Sequence, residues 1–469
     1  MRWDDERRWA GDEFGHAHLG DVRRTARLVQ MAAGVARHPG GRVLDVFRSS
    51  AERQGAYDFL ANEQVETDAM LEAMRTATLR RAQGESECIV VVDGSSLKLK
   101  DWKRRKDFGS IGARDKGARG LKVVHALALR DDGMPIGLLE QQWWARSEHT
   151  RRDDCRRRPL SAKETRFWIT TIGRAAMAFR EQPTRLWFQI DREGDRFHTH
   201  KALRDTGQLF TVRSTYAHRR GHQGTRSVTL RDAARKGKFR GHYAIDVAAR
   251  FNRPGRKAMM TLRTATLTLS FEDSASDERF EQTLHIVDVR ECGLLPRNAE
   301  RIHWRLLTNH PVESRTQATA VLRAYSHRWR IEDLHRTWKS GACKVEQMQL
   351  RSVAHATKWA IVLAANAARI ERIKHLARSS PDLPASREFT PLEIQATRLM
   401  KRKYKKRTET IPDTMPTVGQ MTLWLAELGG YTGKSSGGPP GSITIRRGLD
   451  FILPIAAALE QMRAERKKR

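Results

Sequence analysis

Two short apolar runs constrain this chain more than any other feature: "CIVVVD", residues 88–93, and "RLWFQID", residues 185–191. Each is brief, rich in β-branched or aromatic residues and closed by an aspartate, which is the pattern of a buried strand. Between them lie "LKVVHALAL" and "PIGLLEQQWW", joined through the hairpin signal "RDDGM", and then "SAKETRFWITTIGRAAMAF", which reads as an amphipathic helix. Three strands, a helix and a further strand are satisfied by a mixed sheet carrying helices on its faces. Set side by side in such a sheet, the two runs bring Asp93 and Asp191 to the same end.

That order is the arrangement of the ribonuclease H-like fold, so an α/β core is expected over residues 67–378. From about 208 to 308 the pattern turns β-rich, with "LFTVRSTYA", "HYAIDVAAR", "MMTLRTATLTLSF", "TLHIVDVRE" and "IHWRLLT" parted by Gly, Pro and charged turns, as an all-β insertion would be. Residues 1–66 read as a helical head. Its helix "GDVRRTARLVQMAAGVARHPGG" has a broad apolar face and carries Arg23, Arg24 and Arg27 in its first turns, followed by a second helix in "SSAERQGAYDFLANEQV". A basic entry of this kind suits a DNA-binding head. It suits a solvated basic helix on an ordinary domain equally well. After the polar linker "SSPDLPASREFTP", residues 379–469 form a third, helical unit with the basic run "KRKYKKR", a Gly-rich loop and the apolar "LDFILPIAAALEQM".

The whole chain is strongly basic. Among its 469 residues, Lys and Arg outnumber Asp and Glu by 87 to 55, and the net charge of +32 attracts polyanions. Nucleic acid is the leading partner, because no apolar run approaches the ~18 residues of a membrane span and no signal peptide precedes "MRWDDERRWAGDEF". Cys88, Cys155, Cys292 and Cys343 are scattered without a CxxC pair, which argues for a reducing cytosol and against a zinc finger. A cytoplasmic, nucleoid-associated location is therefore expected.

The acids suggest a chemistry. Two Asp and one Glu suit a pair of Mg²⁺ ions that act on a phosphodiester in an in-line displacement. An Asp after a strand is also a common turn former, so the two strand ends alone are weak. The third acid, Glu332, sits in "YSHRWRIEDLHRTWK", residues 325–339. Read as one helix, this stretch sets Tyr325, Arg328, Glu332 and Lys339 within an arc of roughly 60° on the polar face, with Ile331, Leu334 and Trp338 opposite.

The same stretch carries the Tyr-x2-Arg-x3-Glu-x6-Lys signature, and with it the chain resembles the insertion-sequence-four family of DDE transposases. "LGDVRRTARLVQMAA", "GAYDFL", "LLEQQWW", "DREGD" at 191–195, "LLTNHPVES" and "LAELGG" match in order from about residue 19 to 430. The resemblance implies a catalytic, metal-binding triad of Asp93, Asp191 and Glu332, with two Mg²⁺ ions per site that Mn²⁺ can replace. It implies that Tyr325, Arg328 and Lys339 hold DNA phosphates and that Trp304 and Trp329 receive a flipped base. Arg23, Arg24 and Arg27 would contact the transposon end, and the C-terminal unit would pair two protomers across double-stranded inverted-repeat ends before joining to target DNA. The expected activity is cut-and-paste transposition through a hairpin intermediate. "Gly-Ser-Ser" after Asp93 and the segment after "DREGD" depart from the family pattern without removing an acid.

Two other functions share these features. A ribonuclease H-like metal nuclease would cut without joining, and a catalytically silent inhibitor of transposition would bind the ends without cutting. A two-carboxylate glycosidase is disfavoured by the charge.

Overall fold

The computed structural model describes residues 8–101, 106–112, 117–146, 158–247, 255–296, 299–405, 407–433 and 439–466. Along the chain these form α1 (Arg8–Phe14), α2 (Val22–Arg37), α3 (Val43–Val46), α4 (Ser50–Ala61) and α5 (Thr67–Ala82), then β1 (Glu87–Lys98), β2 (Gly109–Ser110), β3 (Arg119–Leu129) and β4 (Pro135–Trp144). There follow α6 (Thr165–Ala178), β5 (Arg185–Ile190), α7 (Phe197–Asp205), β6 (Leu209–Arg213), β7 (Arg220–Gln223), β8 (Arg226–Thr229) and α8 (Leu230–Lys236). The long strands β9 (Lys238–Val247), β10 (Arg256–Glu272) and β11 (Arg279–Cys292) precede β12 (His303–Thr308). Helices complete the chain: α9 (Arg315–Ser326), α10 (Trp329–Lys339), α11 (Val353–Ser379), α12 (Pro391–Lys403), α13 (Val418–Leu428) and α14 (Ser442–Arg466).

These elements cluster into two compact units, one of residues 84–93 and 149–329, the other of residues 1–83, 94–148 and 330–469. The chain passes between them within β1 and again at the start of α10.

The first unit is a mixed sheet. The first half of β1 pairs in parallel with β5, and β5 in parallel with β6. Both β1 and β5 present continuous buried runs, as strands covered on both faces require. β6 then meets β12 antiparallel, and β12, β11, β10 and β9 continue antiparallel. Along β10 burial alternates in two stretches, at Ala258, Met260, Leu262 and Thr264 and then at Leu267, Leu269 and Phe271, so the packed face changes over partway along the strand. The β-rich character expected from about residue 208 is observed, with one short helix, α7, just before it and another, α8, within it.

In the second unit, capping residues set where the helices start. Asp21 accepts from Arg23 N at the start of α2, Ser49 from Glu52 N at α4, and Thr390 with Glu393 and Thr417 with Gln420 form reciprocal capping boxes at α12 and α13. α11 is buried almost all round, as the central helix of a packed body is. Ile373, Met421, Leu425, Ile445, Leu449 and Ile452 join α11–α14 into one core. A Cβ at Gly448 would lie 1.8 Å from Leu425 O, so only glycine permits the close crossing of α13 and α14. Leu449, Ile452, Leu453 and Ala456 of the apolar C-terminal run are core, while Phe451 and Met462 stay exposed. Among the described residues no helix is long and apolar enough to cross a membrane. Cys88 is a fully buried core residue, Cys343 is also buried, and Cys155 lies outside the described residues.

Candidate nucleic-acid active site

The site begins at the carboxyl ends of β1 and β5. Their register pairs Val92 with Ile190, so the next residues, Asp93 and Asp191, leave adjacent parallel strands at the same end. The carboxyl ends of parallel strands are where α/β sheets present ligand-binding groups. The guanidinium of Arg328 reaches both acids: Nη1 lies 3.5 Å from Asp93 Oδ2 and 3.7 Å from Asp191 Oδ2. Its side chain is 4% exposed, against 15% and 20% for the two aspartates. Two carboxylates and one guanidinium leave a net negative charge, and their oxygens are the hard donors that Mg²⁺ or Mn²⁺ takes. The pair thus fits a compact cation. Among the described residues no group of three His, Cys, Asp or Glu side chains is placed to hold one ion.

The signature stretch does not form the single helix expected of it. α9 ends at Ser326, His327 caps it, and α10 begins at Trp329. Ser326 Oγ donates back to Arg323 O, and Arg328 N bonds Tyr325 O in a tighter i to i+3 step. Back-bonding hydroxyls bend helices, and here the turn separates Tyr325 and Arg328 from the rest of the motif. These two residues are therefore buried, at 2% and 3% exposure, rather than set on an outward polar face. Burial pushes the Tyr325 hydroxyl well above its ordinary range, the charge of Asp191 pushes it further, and Arg328 and Arg213 act against both.

Trp304 of β12 meets Tyr325 edge-on, with ring centroids 5.4 Å apart. Trp329 is 44% exposed, and the Arg328 guanidinium lies 5.0 Å from its ring centroid. One unit thus brings together Asp93, Asp191, Tyr325, Arg328, Trp304 and Trp329.

Glu332 and Lys339 belong to the other unit, on α10. The buried side of this helix is pinned by polar contacts as well as apolar ones. Thr337 donates to Glu371 and Trp338 Nε1 to Ala360 O, both on α11, while His335 Nε2 lies 3.0 Å from His125 Nδ1 on β3. Lys339 Nζ sits 3.7 Å from Glu346 Oε1, which also accepts from Lys98 N at 2.9 Å.

In the N-terminal head, Arg23 is highly exposed and paired with Asp21. Arg24 is turned inward, donating to Leu19 O and to Gln64, and Arg27 lies over Gly55 of α4. Sequence reasoning assigned no role to Asp195, Arg213, His125 or His335. Only Asp195 had a signal, as the last residue of "DREGD".

Three family descriptions match the chain in order: Transposase DNA-binding over residues 6–65, Transposase DDE domain over 177–367, and Transposase Tn5 dimerisation domain over 365–467. The middle match spans Asp191, Tyr325, Arg328, Glu332 and Lys339, and Asp93 lies before it. DNA and a second copy of the chain are accordingly its partners, and DNA cleavage is its activity. This succession on one polypeptide, with its paired strand-end aspartates, identifies the family: the chain belongs to the DDE transposases of the insertion-sequence-four family, with the Tn5-type architecture.

Proposed function

We propose that this transposase works by cut-and-paste, cutting its element free through a hairpin intermediate and joining the 3′-hydroxyl ends to target DNA. Asp93, Asp191 and Glu332 would hold divalent ions, Mg²⁺ with Mn²⁺ as a substitute, and such ions supply activation of the attacking oxygen and stabilisation of the leaving one. The observation that carries the reading is the pair of aspartates at adjacent strand ends sharing one cation.

Each step exchanges one P–O bond for another. Water attacks the phosphodiester at the element's end and frees a 3′-hydroxyl. That hydroxyl attacks the opposite strand and closes the hairpin, a second water opens it, and the regenerated 3′-hydroxyl attacks target DNA. Arg328 and Lys339 neutralise phosphate and Tyr325 donates a hydrogen bond to it, which holds the strand in line. Trp304 and Trp329 offer flat apolar faces for an extruded base, and Trp329 is the more open of the two. Residues 1–66 read the ends through Arg23, Arg24 and Arg27, residues 67–378 carry the chemistry, and residues 379–469 pair two protomers.

The test incubates the protein with DNA carrying the ends of its own element and a target plasmid, in Mg²⁺, Mn²⁺ or chelator, and resolves nicked, hairpin and joined products. Metal-dependent hairpins and joined molecules are expected. Cutting without joining would replace the reading with a nuclease, and binding without cutting would replace it with an inhibitor of transposition.

A further inference from the structure

The last residue of "DREGD" has no assigned role, yet it is a heavily bonded carboxylate near the site. Asp195 is fully buried. Oδ1 accepts from His200 Nε2 at 2.9 Å and pairs with Arg219 Nη2 at 2.9 Å, while Oδ2 accepts from Ser214 Oγ at 2.9 Å and from Thr215 N at 3.0 Å. Four donors nearly fill the lone-pair sites of a carboxylate. Burial alone would favour the neutral acid, but the hydrogen bond from His200 and the charge of Arg219 outweigh it and hold the group ionised.

Asp195 closes the 3-10 turn Arg192–Gly194 that Asp191 opens. Within the turn Gly194 N bonds Asp191 O at 3.0 Å and Asp195 N bonds Arg192 O at 3.3 Å. The turn is also pressed onto its own strand: a Cβ at Gly194 would lie 2.3 Å from Ile190 Cγ2. Asp191 is therefore held from both sides, by the buried end of β5 before it and by the Asp195 anchor after it. The anchor ties the turn to α7 through His200 and to the chain leaving β6 through Ser214 and Thr215.

A buried charged cluster is a poor way to add stability, since apolar residues of the same volume do so as well or better. Its strength is fixed geometry, and partners behind a metal-ligating residue tune the ion that residue binds. We propose that Asp195 is a positioning residue that fixes the Asp191 carboxylate for metal binding, acting through the three-residue turn and touching neither metal nor DNA itself. The inference rests on the proposed metal role of Asp191.

Asp195→Asn keeps the shape but sets an amide NH2 against two of the four donors, His200 and Arg219 at the place of Oδ1 or Ser214 and Thr215 at that of Oδ2. Three readouts on the full-length protein decide the matter: amide exchange in the 191–196 segment, the Mn²⁺-induced rise in melting temperature without DNA, and the Mn²⁺ concentration for half-maximal cleavage of end DNA. Asp195→Asn should speed exchange in that segment, shrink the Mn²⁺-induced rise and raise the cleavage midpoint about 10-fold or more, with end binding retained. Ser214→Ala removes one donor and keeps the charge, so it should move all three readouts the same way by less, and it serves if Asp195→Asn fails to fold. A purely structural residue would lower the melting temperature while leaving the Mn²⁺ midpoint within twofold of the parent, and that result would overturn the inference. Should the parent itself neither respond to Mn²⁺ nor cut, the proposed function fails; the anchor is then judged on exchange alone and falls if the segment is equally protected in parent and variant.

Discussion

Arg328 offers the sharpest test of the site, because one side chain is shared by two carboxylates. Replacing it by glutamine leaves Asp93 and Asp191 at the same strand ends without their common cation. Removing one partner of a buried ion pair costs about 3–5 kcal/mol, and the residual exposure of both aspartates argues for the lower figure, about 3 kcal/mol. For a unit of about 190 residues, each kcal/mol lowers the melting temperature by about 2–4 °C, so Arg328→Gln should melt about 6–12 °C below the parent in chelator. Mn²⁺ should then restore more stability to the variant than it adds to the parent, since the ion no longer competes with a guanidinium. At one hundred times its dissociation constant a bound ion returns about 2.7 kcal/mol, nearly the whole deficit. Differential scanning calorimetry across a Mn²⁺ series reads both quantities. A variant melting within 1 °C of the parent in chelator would refute the neutralising role, and equal Mn²⁺ gains in the two proteins would refute the shared cation site.

Three further outcomes are expected. Glu332→Ala should abolish cleavage of end DNA while a gel shift shows the ends still bound; retained cleavage would remove Glu332 from the chemistry. Lys339→Ala should weaken end binding with a log–log salt slope shallower by about one, and an unchanged slope would show that Lys339 touches no phosphate. Burial lowers His125 to about 4, below the 6.5 of the unfolded chain, so the unfolded state takes up the proton first and stability drops as pH falls from about 6.5 to about 4. The loss approaches about 3 kcal/mol, and His125→Gln, which keeps an acceptor for His335 and a donor for Gln141, should flatten melting against pH in that window. An unaltered pH profile would show that another group titrates.

Where period and burial agree, the fold was legible. "CIVVVD" and "RLWFQID" have the pattern of buried strands, and they are the paired β1 and β5. "SAKETRFWITTIGRAAMAF" kept helical spacing and is α6. The short helices α7 and α8 were not legible. Leu230–Lys236 is seven residues, too few for a periodicity to rise above its β-rich surroundings, although Thr229 caps it by accepting from Asp232 N.

The site was legible in its residue types and illegible in its shape, for one physical reason. A helical period describes side-chain directions around an axis, and "YSHRWRIEDLHRTWK" keeps that period straight through the break at His327 and Arg328. At the break the Ser326 hydroxyl bonds back to Arg323 O, a short-range choice any Ser can make or decline. The consequence of the break is long-range, since it turns Tyr325 and Arg328 inward, where Arg328 meets acids far away in sequence, Asp93 and Asp191. A guanidinium on the open polar face of one helix would be a permanent phosphate contact. Buried against two carboxylates, it is instead a cation already in use, and a phosphate or a metal ion that engages the site must redistribute that charge. On the proposed roles of these residues, binding of metal and binding of DNA are expected to be coupled through Arg328: an ion that satisfies the acids would release the guanidinium toward phosphate, and a phosphate that draws the guanidinium would leave the acids calling for an ion.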